Sequence, residues 1–92
     1  MIFIGFRRQI GRVDVRSVVK YTEEKSGRYA EIYLLHTEPL HSAVQELIEK
    51  TKIKEIKTTN FKKEIAKLKE KDKVEVFDLN EFGERRFTKD IC

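Results

Sequence analysis

The residues best suited to chemistry recur at short, regular spacings. Arg12, Arg16 and Lys20 stand four apart in RVDVRSVVKY, and Tyr29 and Tyr33 follow at the same interval. Phosphates need positive charge and unstacked bases need flat aromatic surfaces, so a surface carrying both suits single-stranded nucleic acid. Each stacked base would contribute about 1–3 kcal/mol. Arg7-Arg8 and Arg85-Arg86 are adjacent pairs beside Gly11 and Gly83, and paired guanidinium groups fork onto phosphate oxygens. The stretch HTEPLH places His36, Glu38 and His41 close together, types that ligate zinc or exchange protons. Pro39 interrupts that segment, so it is not the helical arrangement in which two histidines share a face. No third strong ligand is evident, and no metal or cofactor is expected.

Net charge singles out the same region. The chain carries +4, with 20 basic and 16 acidic residues. Residues 1–20 hold Arg7, Arg8, Arg12, Arg16 and Lys20 against Asp14 alone, and the remaining charges cancel. Charge localised in this way is a hint of an anionic partner. The glycines at 5, 11, 27 and 83 are scattered, which excludes a glycine-rich phosphate loop. Ser26 and Ser42 have no base nearby in sequence. Cys92 is the sole cysteine, so an internal disulfide or thiolate-ligated metal is excluded, and a reducing, cytoplasmic setting is expected. No apolar run approaches the ~20 residues that span a bilayer, and MIFIGF lacks the flanks of a signal peptide. There are 13 lysines and 12 glutamates but only four asparagines and glutamines, a bias of heat-adapted proteins. A hyperthermophile or its virus is the expected source.

The elements that would position these groups follow from periodicity. Ninety-two residues suit one domain, 1–92. IFIGF (2–6) reads as a buried strand. Residues 12–21 alternate apolar and polar and read as a second strand, and 28–36 as a third, after a turn at 22–27. Opposing Val15, Ser17 and Val19 to Leu34, Ile32 and Ala30 buries one side. That register sets Arg16 beside Tyr33 and Lys20 beside Tyr29 on the other, because the alternative would bury the cations. EPLHSAVQELIEK (38–50) has helical spacing, with Pro39 in its first turn. Residues 52–57 favour a strand. Asn60 can cap a second helix bearing Phe61, Ile65 and Leu68. Residues 71–79 read as turn and strand, and RRFT as a returning strand after Gly83. The expectation is an α+β domain of order βββ-α-(β)-α-ββ. It has an antiparallel sheet (N-terminal three-stranded meander plus C-terminal hairpin) and two helices packed on one face.

The stretch KLKEKDKVEVFDLNEFGE looks like the end of the small ring-nuclease and DNA-binding family of archaeal viruses, over roughly a fifth of the chain. His41-Ser42-Ala43 departs from that family's Gly-His before Thr-Ala, and the family is not assigned. The leading expectation is a non-enzymatic nucleic-acid-binding protein using Arg7, Arg8, Arg12, Arg16, Lys20, Tyr29 and Tyr33. One alternative is a protein-interaction or self-assembling, homodimeric module in which the Tyr29/Tyr33 face packs against another chain or an edge strand pairs across a two-fold axis. The other is a small nuclease, with His36 or His41 as base or acid and Arg85 or Arg86 stabilising the phosphorane.

Overall fold

The computed structural model describes residues 1–81. Strands and helices alternate as β1 (Ile2–Phe6), α1 (Arg12–Glu24), β2 (Glu31–His36), α2 (Ser42–Glu49), β3 (Lys54–Lys57), α3 (Phe61–Lys69) and β4 (Val74–Asp78). A further helical turn opens at 79–81. The sheet order is β3-β2-β1-β4 and every pairing is parallel. The expected antiparallel meander is therefore corrected: residues 12–21 belong to a helix, and β1 pairs with β2 in parallel, Ile2 opposite Glu31 and Phe6 opposite Leu35. The proposed pairs of Arg16 with Tyr33 and Lys20 with Tyr29 do not form. The expected returning strand at RRFT lies outside the described residues.

Burial decides why 12–24 is helical. Valine loses side-chain freedom in a helix, at less than about 0.7 kcal/mol per residue. As a helix, the segment brings Val15 and Val18 to one side, both fully buried against Phe3 and Leu34. Burying each is worth roughly 1.5–3 kcal/mol, which outweighs the propensity cost. A strand would have turned Val18 outward. Asp14 completes the helix start, its carboxylate accepting from the Gly11 N–H at 2.8 Å. At the far end Gly27, at φ 75°, supplies the left-handed residue of the connection to β2.

The other expectations about helices fare differently. The helix read at 38–50 spans Ser42–Glu49, with His41 as its cap. Asn60 caps α3 as expected, Oδ1 accepting from the Lys63 N–H at 3.1 Å. The helices do not share one face. α1 and α2 bury Val15, Val18, Val44 and Ile48 against Phe3 and Leu34, while α3 sets Leu68 against Ile2, Ile4, Tyr33 and Leu35. β1 is thus covered on both sides, which its unbroken apolar run allows. Gly5 leaves room there for Leu79, whose side chain would lie 2.9 Å from an added Cβ.

Candidate phosphate-binding edge

In a parallel sheet with helices on both faces, the loops after the strands gather at one edge, and ligands bind there where the strand order reverses. That reversal falls between β1 and β4, beside a smaller concavity that reaches Asn80, while a larger groove lies between the segments that follow β1 and β2. The β1–α1 and β2–α2 loops meet at this edge: the Thr37 and Glu38 N–H groups both donate to the Arg8 carbonyl, at 3.0 and 2.9 Å. An open groove of about 620 Å³ separates the starts of α1 and α2, lined by Arg7, Ile10, Arg12, Asp14, Leu40 and His41 among others. A second concavity of about 400 Å³ adjoins it through Arg7, Gln9 and Pro39 and reaches Arg8, Glu38 and Asn80.

Arg7 is half-buried and directed by Asp14. Its Nη1 donates to both carboxylate oxygens, at 2.9 and 3.1 Å, and Asp14 itself is buried. Arg8 is exposed and meets Glu38 at 3.2 Å, a surface pair of small energetic consequence. Arg12, Arg16 and Lys20 do share a face, although it is the exposed side of α1 and not a strand. Four residues is a multiple of the strand period and nearly one helical turn, so the same spacing aligns them in either element. Among the described residues none of the three has an ion-pair partner.

Apart from Asp14 in the first turn, the charges of α1 oppose its dipole. Arg12 opens the helix, its last turn has no basic residue, and Glu23 and Glu24 close it. A helix stabilised only for itself would carry the reverse order. Successive like charges at i, i+4 add a further cost of about 0.2–0.5 kcal/mol per pair. The row begins with Arg12 at the edge where the loops converge and runs away from it along α1.

Tyr29 and Tyr33 are not on this surface. Tyr29 packs edge-on against Phe3, ring centroids 5.4 Å apart, and its hydroxyl donates to Glu75 at 2.7 Å. Burial, and then that carboxylate, push its ionisation well above the usual phenol range. Tyr33 is buried on the α3 side, with its hydroxyl donating to Glu31 at 3.0 Å. The joint arginine–tyrosine face is therefore corrected to a row of three cations without tyrosines, with exposed Val13 beside it and Glu24 at its end, because the helical turn removed the pairing that would have created it.

The histidines divide. His36 is 2% exposed, its Nδ1–H donating to the Glu38 carbonyl at 2.7 Å and its Nε2 meeting the Glu55 carboxylate. Both ring nitrogens are occupied inside the protein, so His36 fixes the β2–α2 loop and does not reach a substrate. His41 is exposed at the groove, where Nδ1 accepts from the Ala43 N–H at 3.2 Å. Its ring proton therefore sits on Nε2, which is free to donate. Arg85 and Arg86 lie outside the described residues. Among those described, no cluster of three or more His, Cys, Asp or Glu side chains could hold a metal ion, and no helix is long and apolar enough to cross a membrane.

Sequence reasoning missed Asp14, Glu55, Leu40 and Asn80 as parts of this edge. Only Asp14 left a signal: Gly11 followed three residues later by an acid matches a helix start. No protein-family model, curated protein or solved structure matches the chain.

Proposed function

We propose that the protein binds the phosphate backbone of a nucleic acid along α1. Arg12, Arg16 and Lys20 form the track, and Arg7 and Arg8 extend it at the sheet edge. The carrying observation is a row of exposed cations, unpaired among the described residues, that begins at the first residue of α1 and runs along its outer side. Consecutive members rise about 6 Å along the axis, comparable to the step between phosphates on one strand. With the tyrosines inside, no stacking supports the reading, and affinity rests on charge.

Counterion release supplies the test. Three phosphates contacted on a single strand give a slope of log K against log salt of about −2. Arg16→Ala should weaken binding for oligonucleotides of any sequence and reduce the slope by roughly 0.7. Flat salt dependence, or an unchanged slope in Arg16→Ala, refutes the proposal. The homodimer and nuclease alternatives gain no matching observation. The edge strand β3 has only four residues and carries Lys54 and Lys57, a pattern that discourages strand pairing between copies.

A further inference from the structure

The groove between the starts of α1 and α2 is more than a continuation of the cationic row. We infer that it seats the phosphorylated terminal nucleotide of a single strand, whose following phosphates run along α1. This inference rests on the backbone-binding reading and adds to it a preference for strand ends.

Charge and shape both support it. Arg7 spends only Nη1 on Asp14, so Nε and Nη2 remain to fork onto phosphate oxygens. Arg12 also lines the groove, and His41 presents Nε2–H from the α2 side. An internal phosphodiester carries one negative charge, whereas a phosphomonoester carries about −1.5 to −2 at neutral pH. Asp14 offsets one of the two guanidinium charges, so the match lies in donors: Arg7, Arg12 and His41 present N–H groups to the three free oxygens of a terminal phosphate, against two in an internal diester. Gln9 and Asp14 add polar groups, the Asp14 carboxylate being engaged by Arg7 and the Gly11 N–H, and the rest of the lining is apolar, with Ile10, Leu40 and Val44 among it. That lining serves a base or sugar and has no use for phosphate alone. Arg12 belongs to both the groove and the row, so a strand entering at the groove meets Arg16 and Lys20 next. Asp14 is a positioning residue here, acting through Arg7.

The experiment compares a thymidine 20-mer in four forms: 5′-phosphorylated, 3′-phosphorylated, unphosphorylated and circularised. Affinities are measured by fluorescence anisotropy on the full chain. One phosphorylated form should bind about tenfold tighter than the unphosphorylated and circular forms, the scale of one charge-assisted contact. His41→Asn keeps a good helix cap but removes the Nε2 donor, and should narrow that ratio while leaving circular-strand affinity unchanged. Arg16→Ala should lower all four affinities together and preserve the ratio. Equal binding of all four forms overturns the terminal-nucleotide inference and leaves the backbone reading standing. No binding of any form overturns both. A ratio that survives both His41→Asn and Leu40→Asp places end recognition elsewhere and also overturns the inference.

Discussion

Removing the Asp14 carboxylate should destabilise the protein by an amount that its contacts set. Asp14 does two jobs: it accepts from the Gly11 N–H at 2.8 Å, closing the start of α1, and it holds Arg7 at 2.9 Å. Loss of an N-terminal helix cap costs typically about 1 kcal/mol. A hydrogen bond to a charged group is worth about 1.5–3 kcal/mol, but the Arg7 side chain is 41% exposed. Solvent screening then brings the pair down to about 1 kcal/mol. Asp14→Ala should therefore cost about 2 kcal/mol. Asp14→Asn retains an oxygen for Gly11, loses the charge, and should cost about half as much. In a domain of this size 1 kcal/mol corresponds to roughly 4–8 °C in Tm, so the alanine variant should melt about 8–16 °C lower. Urea and thermal denaturation followed by circular dichroism measure both variants. Alanine and asparagine variants within 0.5 kcal/mol of wild type, or equal to each other in cost, would refute this account of the helix start.

Three further outcomes are expected. Arg16→Ala removes two like-charge i, i+4 neighbours, Arg12 and Lys20, and should raise stability by a few tenths of a kcal/mol while it weakens oligonucleotide binding; a loss of stability would show that Arg16 has a structural partner. The Tyr33 hydroxyl, and then Lys54, hold the Glu31 carboxyl below its ordinary 4.5, so its stabilising effect is present above that pH and lost as pH falls through the depressed value. Glu31→Gln should flatten the acid limb of a stability–pH curve, and an unchanged limb would contradict the pair. Gly27→Ala forces a side chain onto a residue at φ 75° and should cost about 1–2 kcal/mol, measured by urea denaturation; a neutral result would mean that the connection takes another conformation.

How much of this was legible in the sequence depends on the segment. IFIGF reads as a buried strand, and it is β1, one of the two inner strands. Asn60 announces α3 because capping is a local hydrogen bond. Residues 12–21 mislead for an identifiable reason. Val13, Val15 and Val19 satisfy a period of two, and valine favours strands when burial is ignored. Two residues argued otherwise: Ser17 would have sat in the strand's core, and Val18 would have faced water. Those misfits vanish at a helical period, where Val15 and Val18 fall together. The alignment of Arg12, Arg16 and Lys20 survived because their spacing suits both periods. The rings of Tyr29 and Tyr33 did not follow, since their placement depended on a hairpin. The groove itself was illegible, because it exists only once two loops far apart in sequence are tied at Arg8, Thr37 and Glu38.

The place of β1 has a consequence for how the chain is made. β1 is one of the two inner strands and is synthesised before the other three, and one of its flanks is completed by Val74–Asp78. Until that late segment is synthesised, Ile2, Ile4 and Phe6 offer an apolar, unpaired border to any strand that meets them. A chain halted before residue 74 should therefore be more prone to aggregate than one that carries β4.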